Sequence, residues 1–173
     1  FKQKTAYEML RSLVGSEMCI RDSSLDARYL LAIAYENVDD YKNAITHYEK
    51  ASSLAPENAE IKKALATCYR LNANLDKALE ILERLAAEKT DDPFAFQMLG
   101  DIYRIKGSEA KRWRRFDKEL EYYEIAADYY RTYLNLEPGS ENRGFIMKFL
   151  SGYEHYRLLQ AQEREGVQFY EEW

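Results

Sequence analysis

The chain has 173 residues, with 25 Lys and Arg against 30 Asp and Glu, a net charge of −5 with both histidines neutral. That length suits one domain, and the mild acidity argues against general nucleic-acid binding. No stretch approaches the ~20 apolar residues of a membrane span, and two cysteines, Cys19 and Cys68, make no disulfide framework and no zinc-ligand spacing.

Residues 1–23 stand apart from the rest. Met18 to Ser23 read back as ATG TGT ATA AGA GAC AG and a pyrimidine, the recognition end of the transposase used to build DNA libraries. Leu13 to Glu17 read back as the primer arm, and Lys2 to Glu8 as the flow-cell arm, all in one frame and in adapter order. The segment resembles a translated sequencing-library adapter rather than protein, and like a cloning scar it is excluded from fold reasoning. The native chain is then expected to begin near Ser24 and to be a fragment, with any leader or anchor upstream. Without the segment's four cations and three acids the totals become 21 and 27, a net of −6, and Cys68 is the one native cysteine.

From Leu25 the chain repeats itself. Leu25–Asn58 and Ala59–Asp92 are each 34 residues long, follow without a gap, and each read as a helix A, a short turn and a helix B. Leu31, Ala32 and Tyr35 fall on the first helix A, with Ala44, Tyr48 and Ala51 on helix B and Pro56 after it. Leu65, Ala66, Tyr69, Ala78 and Leu82 take the same phases in the second copy. From Pro93, Leu99, Gly100 and Tyr103, then Ala126, Tyr130 and Pro138, do so again. These residues and this period resemble the tetratricopeptide repeat family. Leu85, Thr90 and Tyr133 depart from its usual small, proline and small residues.

The resemblance implies an all-α fold, a right-handed α-solenoid of antiparallel helix pairs. Its steric basis is legible: Ala32, Ala66 and Gly100 let helix B approach helix A, while tyrosines and leucines fill the space at i, i+3, i+4 spacing. The expected organisation is repeats 25–58, 59–92 and 93–138, the last with an insertion at about 108–121, then a capping helix or degenerate repeat over 139–173. One pair cannot bury its apolar face alone, so neighbours must stack.

The third copy is fourteen residues too long between Gly107 and Glu121. A helix rises ~1.5 Å per residue and the return path covers at most ~3.3 Å per residue, so helix B alone gains roughly nine residues at most. It is expected to start between Arg112 and Asp117, with the remainder as connection. Trp113, Phe116, Leu120, Tyr123, Ala127, Tyr130 and Leu134 recur at helical spacing. The overhang sets Trp113 and Phe116 among Lys111, Arg112, Arg114 and Arg115. Exposed, these residue types suit a docking knob for an acidic or helical partner. Alternatively Trp113 folds back on its own hairpin and the cations are solvated. Nucleic-acid binding through Lys111–Arg115 is the weakest of the three readings.

After Gly139 the repeat phase fades. Phe145, Phe149 and Leu150 suit a fourth helix A, but Gln162 and Glu165 occupy positions a helix B would bury. Phe145, Phe149, Tyr153, Tyr156 and Leu159 form one stripe on a single long helix, which Gly152 would weaken by ~1 kcal/mol.

No catalytic constellation recommends an enzyme, and no cofactor or metal is implied. His47 and His155 are far apart, with His47 expected at the surface. Cys68 beside Tyr69 reads as a small packed side chain, and no glycine-rich phosphate loop occurs. The family resemblance instead implies a scaffold that binds a protein or peptide along helix A positions lining a concave groove. In the first copy these are Asp26, Tyr29, Ile33, Glu36 and Asn37, and in the second Glu60, Lys63, Thr67, Arg70 and Leu71. The third adds Phe94, Gln97, Asp101, Arg104 and Ile105. Such a mixed surface suits an extended segment or a helix. One subfamily clamps a chaperone's terminal carboxylate with cations and amide donors; Tyr29, Ile33, Ala64, Phe94 and Met98 stand at those positions and supply none, which argues against that partner. The alternative is the repeat arm of a larger enzyme or cell-envelope protein.

Overall fold

The structure, a computed structural model, describes residues 24–88 and 91–171, with side chains through residue 162. Residues 1–23, on which the adapter reading falls, lie outside the described residues. What is described is entirely helical: α1 Leu25–Glu36, α2 Tyr41–Leu54, α3 Ala59–Leu71, α4 Leu75–Glu88, α5 Pro93–Arg112, α6 Phe116–Leu136 and α7 Arg143–Glu171. These are antiparallel hairpins of a helical-repeat solenoid. They fall into two compact units, one ending at Glu88 and one beyond it.

Local chemistry starts most of these helices. The Ser24 hydroxyl accepts from the Ala27 N–H at 3.2 Å, the Asp40 carboxylate from Asn43 at 3.2 Å, and the Asn58 amide oxygen from Glu60 and Ile61 at 3.0 and 3.3 Å. Asp92 accepts from Phe94 at 3.1 Å, with Pro93 in the first turn, where its missing N–H costs nothing. Each cap is worth about 1 kcal/mol.

The three hairpin turns share one geometry. Asp39, Ala73 and Arg114 adopt φ of 60°, 58° and 54°. The next residue's N–H returns to a carbonyl five back: Asp40 to Tyr35 at 3.0 Å, Asn74 to Tyr69 at 2.9 Å, and Arg115 to Ala110 at 2.9 Å. This left-handed closure satisfies helix-end carbonyls and normally recruits glycine; none of these three positions has one.

In the first unit, Ala32, Ala44, Ala51, Ala66 and Ala78 are fully buried, and Tyr48, Ile61, Leu82 and Leu85 fill the space they leave. Leu85, where a small residue is usual, is 1% exposed. His47 is not the surface residue expected. It is half-buried, with its ring stacked on Tyr35 at 5.4 Å, because its helix face turns toward α1.

In the second unit the extra residues do not form a connection. Asp39 and Ala73 are 34 positions apart, whereas Arg114 lies 41 after Ala73, so seven extra residues precede the turn. The helices have 20 and 21 residues, against 13 and 14 for α3 and α4, so about seven more follow it. Seven residues are close to two turns, so each helix lengthens while keeping its buried face in phase. The packing repeats with it. A Cβ on Gly100 would lie 2.7 Å from the Tyr130 ring, and one heptad further out a Cβ on Gly107 would lie 2.5 Å from the Tyr123 ring. Trp113 therefore caps α5 instead of beginning the stripe of α6.

Beyond Pro138 a single helix, α7, runs 29 residues. Among its described side chains Ile146 and Tyr153 are buried and Phe149 and Leu150 partly covered, whereas Phe145 and Leu159 are exposed. The buried stripe thus keeps Phe149, Tyr153 and Tyr156 of the expected one, while Ile146 replaces Phe145 at its start and Leu159 stays exposed. Phe149 sets the register, meeting Tyr123 and Tyr130 edge-on at 5.7 and 5.4 Å.

Candidate functional site

The helix A faces carry the residues expected to meet a partner, and each unit holds its own set. On α1, Tyr29 and Ile33 are half-buried and Asn37 caps the helix end, exposed. Tyr29 packs edge-on against Tyr48 at 5.9 Å, and the Tyr48 hydroxyl donates to Glu36 at 2.7 Å. Burial first, then that carboxylate, pushes the Tyr48 hydroxyl well above the ordinary tyrosine range, so it remains a donor. On α3, Lys63 pairs with Glu60 at 3.2 Å and the Thr67 hydroxyl donates to the Lys63 carbonyl at 2.9 Å. Arg70 is half-buried, and its Nε is buried with no hydrogen-bond partner.

On α5, Phe94, Gln97, Asp101 and Arg104 are all half-buried. Asp101 and Arg104 are joined through a residue read as pure core: the Tyr130 hydroxyl donates to Asp101 at 2.6 Å and accepts from Arg104 Nε at 3.3 Å. The Arg104 guanidinium also lies 5.2 Å from the ring centroid of exposed Phe145.

The tip of the long hairpin holds Trp113, Arg114, Arg115 and Phe116. Trp113 is 72% exposed and Phe116 55%, so the indole does not fold back into cover. Among the described residues no ion pair involves Arg114 or Arg115. Trp113 and Arg115 border a shallow cleft with Lys106, Lys118 and Tyr122.

Two features escaped sequence reading. In the first unit a cleft of about 450 Å³ opens among Glu49, Ser52, Tyr69, Lys77 and Ile81. There the Tyr69 hydroxyl donates to Glu49 and accepts from Lys77 Nζ at 3.3 Å. In the second unit Glu119 is 1% exposed, although it sits in the run KRWRRFDKELE, which reads as a solvated face. No periodicity marks it, because the run's charges mask the apolar phase.

Cys68 is fully buried, and burial followed by the charge of Glu36 pushes its thiol up to about 12. It is a packing residue at neutral pH. No helix among the described residues is long and apolar enough to cross a membrane.

Comparison with known proteins agrees with the repeat geometry. Residues 37–101 match the family model of the tetratricopeptide repeat. The chain is 26% identical over 144 residues to the photosystem I assembly protein Ycf3 of Prochlorococcus marinus strain MIT 9303, covering 80% of this chain and 83% of that protein. It is 30% identical over 115 residues to Ycf3 of strain MIT 9215, covering 64% and 66%. Among solved structures, MamA (41-end) from Desulfovibrio magneticus RS-1 superposes with a TM-score of 0.63 at 21% identity, over 92% of this chain and 86% of that one. The Arabidopsis OM64 TPR domain gives 0.57 at 17% identity, over 75% and 95%. At these identities the solved structures speak to fold alone.

Proposed function

We propose that this chain, a protein of the tetratricopeptide repeat family, is a non-catalytic scaffold that holds a polypeptide partner against the helix A faces of its hairpins. The observation that carries the reading is the character of those faces. Tyr29, Ile33, Thr67 and Arg70 in the first unit, and Phe94, Gln97, Asp101 and Arg104 in the second, are half-buried. Each is part covered and part exposed, and together they offer a mixture of aromatic, aliphatic and hydrogen-bonding groups that suits a helix or extended segment. The relatives in Prochlorococcus marinus are named for assembling a protein complex, photosystem I. An assembly role, holding one component while others join, is the concrete form this scaffold takes.

The test is capture of partners by the tagged chain, then substitution. Arg70→Glu and Tyr29→Ala are expected to lower partner affinity while leaving the domain folded, with its helical circular dichroism retained and a cooperative melt at a modestly lower temperature. Retention of every captured partner by both variants would show that the helix A faces are not the binding surface.

A further inference from the structure

The geometry points to a pocket, built by the heptad extension of the third hairpin, that accepts an arginine side chain of a partner polypeptide on Glu119. The pocket lies wholly within the second unit, between α5, α6 and α7, with a volume of about 500 Å³. Glu119 lines it together with Lys111, Tyr123, Phe149, Gly152 and Tyr156. Glu119 is 1% exposed, and both its carboxylate oxygens are buried without a hydrogen-bond partner. A carboxylate stripped of water and hydrogen bonds is strongly disfavoured, and proteins tolerate that only where something offsets it. The first turn of α6, where Glu119 sits, repays part through the helix dipole.

Lys111 repays another part incompletely. Its Nζ stands 3.6 Å from Glu119 Oε1, beyond hydrogen-bond distance, while its side chain is 65% exposed. The same ammonium lies 5.9 Å from the Tyr156 ring centroid. Lys111 is thus a removable cover over the carboxylate. A guanidinium entering in its place presents two parallel N–H donors to the two oxygens at once, which one ammonium cannot do. It also stacks on the aromatic walls. Arg104, Lys111 and exposed Lys148 also line the pocket, yet an anion is the poorer occupant at its floor, where Glu119 sits. Arg104 is already engaged with Tyr130, itself bonded to Asp101, and an anion would be set against the buried carboxylate. The pocket itself is independent of the scaffold reading; only the source of the guanidinium, a partner chain, rests on it.

The experiment titrates the full chain with four capped pentapeptides, alanine throughout except for arginine, lysine, norleucine or glutamate at the centre. The readout is the chemical shift of the Gly152 amide and the tyrosine rings. The arginine peptide is expected to bind saturably, the lysine peptide more weakly, and the other two not at all. Glu119→Gln should weaken arginine binding roughly tenfold or more, the loss expected for a paired charged hydrogen bond. Lys111→Ala should strengthen it several-fold by removing the competing cation. Gly152→Leu adds bulk where a Cβ meets nothing within 4 Å; it should block the pocket while raising the melting temperature, which separates occlusion from misfolding. Absence of saturable arginine binding, equal binding of norleucine, preference for glutamate, or weakening by Lys111→Ala would each overturn the assignment. Failure to capture any protein while the arginine peptide still binds would instead count against the scaffold reading alone.

Discussion

The same substitution, glycine to alanine, should have opposite consequences at two helical positions of the second unit. At Gly107 the new Cβ would sit 2.5 Å from two carbons of the Tyr123 ring, about an ångström inside ordinary contact. The ring cannot simply retreat, because Phe149 meets it edge-on at 5.7 Å and its hydroxyl is held 3.3 Å from the Ser108 hydroxyl. Overpacking of this kind costs ~1–3 kcal/mol. At Gly152 nothing lies within 4 Å, and only the helix-propensity gain of ~1 kcal/mol remains. That gain applies at both sites, so it cancels in the difference. Gly107→Ala should therefore be less stable than Gly152→Ala by about 1–3 kcal/mol. Urea denaturation followed by circular dichroism measures both. Placing Gly107→Ala in a Tyr123→Ala background should remove the penalty and leave the propensity gain. Equal effects at Gly107 and Gly152, or a penalty that survives loss of the Tyr123 ring, would refute the claim that the long hairpin closes on a glycine–tyrosine contact.

Two further outcomes follow from local geometry. Ala73→Gly relieves a left-handed residue with φ of 58° and should stabilise the first unit by roughly 0.5–1 kcal/mol, after allowing for glycine's greater unfolded freedom; thermal melting checks it. Burial, then the charges of Arg28 and Lys50, holds His47 below the ordinary histidine range. The unfolded chain then takes up the proton first, so stability is complete above pH ~6.5 and declines as pH falls toward the lowered folded value. His47→Phe keeps a ring to stack on Tyr35 and should flatten that part of the stability profile; a profile unchanged by the substitution would show that His47 does not supply it.

The helix pairs from Leu25 onward could be read directly, because alanine, tyrosine and leucine recur with a period that only stacked helices can bury, and Ser24, Asp40, Asn58 and Asp92 mark helix starts by their own side chains. The start of the third helix B at Phe116 falls inside the expected window, but the lengthening of helix A to Arg112 could not be read. Seven residues are nearly two helical turns, so a heptad added to either arm leaves the apolar phase almost unchanged, and the turn itself falls on Trp113, Arg114 and Arg115 without glycine or proline. The face that α7 buries was legible at Phe149, Tyr153 and Tyr156 but not at its start, since Phe145 and Ile146 are both apolar and packing against α6 chooses between them. Sequence alone determined the helical-repeat class, because the 34-residue recurrence of small and aromatic residues rests on short-range periodicity; the helix A positions proposed for binding came from the family resemblance and not from that periodicity. Tertiary structure alone decided that Tyr130 joins Asp101 to Arg104 and that Glu119 is buried beneath Lys111, because both arise where one helix covers another, and spacing along a single helix carries no record of its neighbour.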